Sequence, residues 1–408
     1  MSVATSAIVV QKFGGSSLAT AELREIAASR VLAIRSAGKT PVVVCSAMGR
    51  APDAYATDSL AALVEPVQGG PNRDLLLACG EAIACAVFAE LLISLGAPAQ
   101  AVTGAQAGFL TDDAWSDAKI TGIDPRNLYA LIERGIIPVV TGFQGVTPGG
   151  AVTTLGRGGG DLTAVALGEA LHAQSVEIYT DVSGVMTADP KRIAGAHTVD
   201  RVSYAEMVEL AGNGAKVLHH KAATLAHDTS TPYVVKGLRS NVGTLIDDGA
   251  TIDREKPVTG ITSLRGITFV RIIQGEDVHH RADIDVQIFE RLAQHGISID
   301  MINVNNAGVF FVCDAENIDR VRAELANLNL ALRVRASCAK LSIVGVGMRG
   351  TPGVMYRVVR ALTEAGVEII HSTDSNITIS VLVPAEETVR AEQALHDYFH
   401  LGPGATVA

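Results

Sequence analysis

Short apolar runs alternate with stretches of helical period through the first 250 or so residues. Ile8–Phe13, Thr40–Cys45, Ile136–Thr141 and Val176–Thr180 are rich in β-branched residues, which predicts buried strands. Between the first two, Leu23, Ile26, Ala27, Val31 and Ile34 fall on one helical face. Apolar stretches at Ala82–Leu92 and Ala164–His172 predict further helices, the first with Glu81 at its start. Strands separated by helices imply an α/β layer around a mainly parallel sheet, sandwiched by helices.

The pattern changes after Asp247–Val258, a polar, charged segment that reads as a linker. Gly296-Ile-Ser-Ile-Asp and Gly366-Val-Glu-Ile-Ile open two segments 70 residues apart. At that offset Ile299 matches Ile369, Asn306 matches Asn376, and Ala315-Glu316 matches Ala385-Glu386. Each copy reads strand, helix, strand, strand, helix, which predicts two small α/β modules of one kind. Each is too small to be expected stable alone, so they are expected to pack together or across a dimer. The expected division is 1–247 for the main domain, 248–261 for the linker, 262–335 for the first module and 336–408 for the second.

Composition narrows the classes. The chain has 408 residues and 48% hydrophobic content, enough for two or three cores. No uninterrupted apolar run reaches the ~18–20 residues of a membrane span. The N-terminus leads into the strand-like Ala7-Ile-Val-Val-Gln without the parts of a secretory signal, so a cytoplasmic location is expected. Five scattered cysteines form no CxxC pair, which argues against a disulfide framework or a zinc site. A net charge of −10 and 4% aromatics argue against nucleic-acid binding.

The chemistry concentrates in loops. In Thr153–Thr163, four glycines surround Arg157 and Asp161 just before a helical stretch. Glycines let backbone N–H groups approach a ligand closely, the helix start adds positive dipole, and an Arg grips a carboxylate with two donors. Such a loop suits an anion. Lys12-Phe-Gly-Gly-Ser-Ser17 reads as strand, turn and helix, with the helix starting near Leu18. It places an ammonium beside N–H groups, and it is not a Walker A loop. Asp181–Pro190 follows a strand and carries Asp, Ser, Gly, Thr and Asp-Pro, as a ligand-facing loop at a sheet edge would. An ordinary turn also accounts for Asp-Pro, and helix capping also accounts for Glu81.

Seven motifs together resemble the aspartate kinases. They are Lys12-Phe-Gly-Gly-Ser-Ser, Val44-Cys-Ser-Ala-Met-Gly, Leu77-Ala-Cys-Gly-Glu, Thr103-Gly-Ala-Gln-Ala-Gly, Gly142-Phe-Gln-Gly, Thr154-Leu-Gly-Arg-Gly-Gly and Thr180–Pro190. They occur in that family's order and spacing, and the twin repeats resemble its paired ACT modules. Tyr55-Ala-Thr-Asp-Ser-Leu60 looks closest to the diaminopimelate-sensitive, monofunctional branch. The resemblance implies an amino-acid-kinase fold over 1–247 with two C-terminal ferredoxin-like ACT modules. It implies phosphorylation of the side-chain carboxylate of L-aspartate by ATP with Mg2+, the first step towards lysine/diaminopimelate, threonine and methionine. It also implies a homodimer or higher homo-oligomer formed through those modules, with no nucleic-acid or membrane partner.

Carried over by motif, Lys12 would sit on the transferring phosphate, with Phe13, Gly14, Gly15 and Ser16 around it and Ser46 on the phosphate path. Thr180, Asp181, Met186, Asp189, Pro190 and Lys191 would bound the nucleotide, with Lys216 as its second lysine. Arg157, with Gly158, Gly159 and Gly160, would clamp a substrate carboxylate. Glu81 would pair with the substrate ammonium, and Thr57 would hydrogen-bond near the same end. Asp161 would orient Lys12 or the metal, and Mg2+ would be held mainly by ATP phosphates. Asp300, Asn303 and Asn376 are candidate effector contacts.

The chain departs from the family's usual Gly-Arg-Gly-Gly-Ser-Asp-Thr at Gly160 and Leu162. A missing hydroxyl there would weaken or re-aim aspartate use, roughly ten- to a hundredfold. Two alternatives follow: a paralogue acting on a larger amino-acid carboxylate, or a non-catalytic amino-acid sensor. Under the first, restoring Ser at 160 should improve aspartate turnover. Retention of Lys12, Glu81, Arg157, Asp161 and Lys216 argues against the second. Ala82, Lys191 and His219-His220-Lys221 also differ from the usual pattern, and a helix-start or surface role is expected for the histidines. In the first module Ala282-Asp283 replaces the expected Pro-Gly turn, beside His279-His280-Arg281, which implies altered or absent feedback control.

Overall fold

The computed structural model describes residues 7–67, 69–215, 217–249, 256–273, 278–328 and 330–403, with backbone only for 278–281. The chain divides into two compact units. The first comprises Met1–Val185, Thr198–Gly212 and Lys216–Ala250; the second comprises Met186–His197, Asn213–Ala215 and Thr251–Ala408.

The first unit begins with β1 (Ile8–Phe13), α1 (Gly15–Leu18), α2 (Ala21–Ser36), β2 (Thr40–Cys45), α3 (Thr57–Ala62) and α4 (Pro71–Ser94). Then come β3 (Ala99–Val102), β4 (Phe109–Thr111), β5 (Ile120–Ile123), α5 (Arg126–Glu133), β6 (Ile137–Thr141), β7 (Gln144–Val146) and β8 (Val152–Thr154). It closes with α6 (Gly159–Ala170), β9 (Ser175–Thr180), β10 (Arg201–Ser203), α7 (Tyr204–Gly212), α8 (His220–Thr229), β11 (Tyr233–Gly237) and β12 (Gly243–Asp247). Eight strands form one sheet in the order β10-β12-β11-β9-β1-β2-β6-β3, parallel except for the β11/β12 pair. Four short strands form a second sheet, β5-β4-β7-β8. The four strands expected from the sequence are β1, β2, β6 and β9.

Side chains alternate across a strand, so β1 serves both faces of the large sheet. Phe13 packs with Phe88, Ala27, Val31 and Leu92, between the sheet and helices α2 and α4. Lys12 points the other way, toward α6. The N-terminal helical stretch is broken in two, because Thr20 caps α2 by accepting the Leu23 N–H at 3.2 Å. Helix α4 is long and apolar enough to span a bilayer by length and composition. Half of it is instead buried in protein, including Asp74 and Glu81.

The second unit carries β13 (Gly260–Ile273), α9 (Val278–Gln294), β14 (Asp300–Asn305), β15 (Gly308–Asp314), α10 (Ile318–Leu325) and β16 (Ala331–Val344), followed by α11 (Val354–Glu364), β17 (His371–Asp374), β18 (Thr378–Pro384) and α12 (Thr388–Tyr398). These make the repeated strand–helix–strand–strand–helix order. The six strands form one sheet, β14-β15-β13-β16-β18-β17. Both long strands belong to both repeats. Gly260–Arg265 of β13 pairs with Ala339–Val344 of β16, beside β18, whereas Ile267–Ile273 pairs with Ala331–Cys338 and, through Ile272, with β15. Register shifts around Ile267 mark the crossover. The positions 261/262 and 335/336, expected as module boundaries, therefore fall inside β13 and β16. Residues 250–255 of the expected linker lie outside the described residues, and its last two residues belong to β13. Pro352 precedes the α11 N-cap, Gly353. Ala282-Asp283 falls inside α9, so that helix begins before the position matching the start of α11.

Candidate active site

Three parallel strands end at one point. After β1, Gly15 opens α1, where a Cβ would lie 2.6 Å from the carbonyl oxygens of both Ala47 and Gly49. Only glycine fits that crossing. The Ser46 N–H donates to the Phe13 carbonyl at 3.1 Å and the Gly142 N–H to the Cys45 carbonyl at 2.9 Å. A Cβ on Gly142 would lie 3.0 Å from Cα of Gly160. The ends of β1, β2 and β6 thus converge on the start of α6.

That helix begins at Gly159, five residues before the expected Ala164, so Gly160 and Asp161 lie in its first turn. Gly158 is its N-cap with φ +73, a left-handed conformation that glycine adopts without strain. Among the described residues no side chain caps this end. The Gly159 N–H donates to the Gly156 carbonyl at 3.0 Å, which leaves the Gly160 and Asp161 N–H groups and the helix dipole available to an anion among the described residues. Lys12 Nζ lies 2.6 Å from Asp161 Oδ1, with both side chains largely buried. A Cβ on Gly160 would lie 2.8 Å from Ser46 Oγ and 3.3 Å from Lys12 Cε. A side chain at 160 would therefore require the Ser46 hydroxyl to rotate. Phe143, part of the Gly142-Phe-Gln-Gly motif but given no role from the sequence, holds φ +69 and packs against Gly159.

Glu81 sits in the middle of α4, not at a helix start, which removes the capping explanation. The helix starts at Pro71, ten residues earlier, because Pro suits a first turn. Glu81 is 2% exposed; its Oε1 accepts the Ala47 N–H at 3.0 Å and its Oε2 has no hydrogen-bond partner among the described residues. Burial pushes its carboxyl up to about 8, against the opposing pull of the Ala47 hydrogen bond and the Lys12 charge. Gly80 admits these neighbours: a Cβ there would be 2.8 Å from Ala47 Cβ and 3.0 Å from the Tyr55 carbonyl oxygen. Thr57 opens α3 two residues after Tyr55. Arg157 is exposed and makes no hydrogen bond or ion pair among the described residues.

At the ends of β9 and β11, a cavity of about 430 Å³ is lined by Ser16, Ser17, Thr180, Asp181, Ser183 and Arg239, among others. Burial pushes the Asp181 carboxyl up, but bonds from Thr180 and Arg50 outweigh it and hold the group below its ordinary value. Met186, Asp189, Pro190 and Lys191 belong to the second unit. There Arg192 pairs with Asp189 at 3.1 Å and with the buried Glu392 at 3.0 Å. Lys216 lies outside the described residues, as do the side chains of His279, His280 and Arg281. Asp300 pairs with Lys340, Asn303 Oδ1 accepts from Asn305 at 2.7 Å, and Asn376 lies exposed between β17 and β18. His219 does begin a helix: it is the N-cap of α8.

Among the described residues no three His, Cys, Asp or Glu side chains gather as metal ligands. Magnesium binds few protein groups and keeps water and phosphate oxygens, so a site with Asp161 beside a polyphosphate fits it.

Comparison with known proteins agrees with this geometry. A model of the amino acid kinase family matches residues 7–237, and one of the ACT domain matches 341–399. Aspartokinase 1 of Bacillus subtilis is 38% identical over 404 residues, covering 97% of this chain and 99% of that protein. The aspartokinase of Corynebacterium glutamicum is 38% identical over 413 residues, covering 97% of each. The crystal structure of E. coli aspartokinase III in complex with aspartate and ADP superposes with a TM-score of 0.78 at 26% identity, covering 96% of this chain and 99% of that one. Near-full coverage by relatives of one kind, on a fold that brings Lys12, Asp161 and Glu81 around one helix start, places this chain in the aspartokinase family.

Proposed function

We propose that this protein transfers the γ-phosphoryl group of ATP to the side-chain carboxylate of L-aspartate, giving ADP and 4-phospho-L-aspartate. The observation that carries the reading is the Lys12–Asp161 pair at the start of α6, with Arg157, which has no partner among the described residues, two residues before that helix. A carboxylate of pKa ~4 is already ionised at neutral pH, so the reaction needs no general base. The obstacle is charge: two unit charges 4 Å apart repel by ~4 kcal/mol at an effective dielectric of 20. Catalysis here is positioning and neutralisation.

A carboxylate oxygen attacks Pγ, and the bond from Pγ to the bridging oxygen of ADP breaks. Lys12 neutralises the moving phosphoryl oxygens, and the N–H groups of Gly160 and Asp161 donate to them. Asp161 holds the Lys12 ammonium in place beforehand. Arg157 takes the substrate's other carboxylate, and Glu81 takes its ammonium. Thr180 and Asp181 bound the nucleotide side of the same sheet edge. Asp161 and the ATP phosphates would hold magnesium, which would supply positive charge against the phosphate oxygens.

The room beside Gly160 is bounded by Ser46 Oγ and Lys12 Cε, 2.8 and 3.3 Å from where a Cβ would stand, and near-full-length aspartokinase relatives favour aspartate over a larger substrate. We further propose a cytoplasmic homo-oligomer formed through the ACT modules. The Tyr55–Leu60 segment supports the diaminopimelate-sensitive branch. An effector ammonium reaching Asp300 would have to displace Lys340.

The test is incubation with MgATP and a panel of amino acids, trapping acyl phosphate with hydroxylamine. Aspartyl hydroxamate as the dominant product supports the reading. Product from another acid alone, or ATP binding without any transfer, overturns it.

A further inference from the structure

The loop that presents Arg157 is gripped from both sides. It joins β8 to α6 and has four residues, Leu155–Gly158. Leu155 is fully buried and its N–H donates to the Phe143 carbonyl at 2.9 Å. The glycines on either side of Arg157 are both left-handed, with φ +75 at Gly156 and +73 at Gly158. A Cβ on Gly156 would overlap Asp117 Oδ1, and a Cβ on Gly158 would overlap the Cβ and Cγ of His219. Lys221, two residues beyond His219, closes the bracket with an ion pair to Asp117.

Both jaws are anchored. The Ala118 N–H donates to the Thr154 carbonyl at 2.9 Å. Asp74, fully buried in α4, accepts the N–H groups of Thr154 at 2.7 Å and Ser116 at 3.0 Å. On the other side, His219 caps α8 by accepting the Lys221 N–H at 3.4 Å. Two glycines free the loop to bend, and two side chains from distant segments remove that freedom.

We propose that Asp117 and Lys221, braced by His219, are positioning residues that hold the loop so that the Arg157 guanidinium points at the substrate carboxylate. This deepens the function proposed above and rests on it. Orientation of a binding group matters steeply, because small misplacements forfeit much of the gain from a pre-set geometry. The Asp117–Lys221 pair is itself half-exposed, so its direct contribution to stability is small.

The experiment compares Asp117→Ala, Lys221→Ala, Lys221→Arg and the charge exchange Asp117→Lys/Lys221→Asp in steady-state kinetics, with melting temperatures alongside. The single alanine variants are expected to raise KM for aspartate about two- to fivefold, the range of an exposed ion pair. KM for ATP and the melting temperature should stay near the wild-type values. Lys221→Arg and the charge exchange should restore KM. In an Arg157→Ala background, adding Lys221→Ala should raise KM no further, since the clamp would then hold nothing that binds. Unchanged KM for aspartate in both single variants overturns the clamp, as does an equal rise in KM for ATP, or failure of both restoring variants. A wild-type protein that does not turn over aspartate would instead overturn the function on which the clamp rests.

Discussion

Lys12 Nζ lies 2.6 Å from Asp161 Oδ1, tying the end of a central strand to the first turn of α6. The two side chains are only 11% and 14% exposed, so the ammonium is fixed and partly desolvated before substrates arrive. Fixed charge in a poorly hydrated place acts more strongly on a transition state than mobile charge in water. Lys12→Met is expected to lower kcat about 10²–10³-fold, the scale of one lost electrostatic donor. Asp161→Asn keeps the shape and should lower kcat less. Equal kcat in Lys12→Met and wild type would remove Lys12 from the mechanism.

Glu81 makes stability and binding depend on pH. Its carboxyl is raised from 4.5 to about 8 by burial. A folded-state pKa above the unfolded one contributes stability that is complete below the unfolded pKa and lost as pH rises through the folded one. The melting temperature of wild type should therefore fall relative to Glu81→Gln between pH 4.5 and 8. Gln keeps the acceptor for the Ala47 N–H, so the fold should persist.

The same group should release a proton when the substrate ammonium arrives, because the ammonium favours the carboxylate. Titration calorimetry of aspartate binding at pH 7, in buffers of different ionisation enthalpy, should show up to about one proton released per site. Glu81→Gln should show none. Equal release by both proteins would assign the proton elsewhere.

Ser46 and position 160 compete for one volume, since a Cβ on Gly160 meets Ser46 Oγ at 2.8 Å. Gly160→Ser alone must rotate that hydroxyl and should bring no gain in kcat/KM for aspartate. Ser46→Ala should cost about ten- to a hundredfold, the value of one hydroxyl hydrogen bond to a charged group. The double variant Ser46→Ala/Gly160→Ser should recover part of it. Additive effects in this cycle would show that the two positions are uncoupled.

Arg157→Ala should raise KM for aspartate about ten- to a hundredfold through loss of a charged, two-pronged contact. KM for ATP should not follow. Arg157→Lys should recover little, because an ammonium lacks the planar fork. A larger effect on ATP than on aspartate would move Arg157 to the nucleotide.

Much of this was legible along the chain because it is local. Alternating apolar runs determined the strands β1, β2, β6 and β9, and the repeat of 70 residues determined the strand–helix–strand–strand–helix order of the second unit. Glycine loops marked the sheet edge where charge gathers, since a glycine's freedom belongs to the residue itself. Seven motifs in one order carried the family.

Other features depend on what meets what in space, and only the tertiary structure decided them. Glu81 read as a helix start because the apolar run followed it, yet α4 begins ten residues earlier, and burial shifts its carboxyl. That Ser46, from the end of another strand, crowds position 160 could not be read from the glycine itself. Asp117 and Lys221 are 104 residues apart and carry no signal of their own. The crossing of β13 and β16 between the repeats is likewise a matter of pairing, not of pattern. Desolvation, steric exclusion and strand pairing are properties of neighbours, and the neighbours are chosen by the fold.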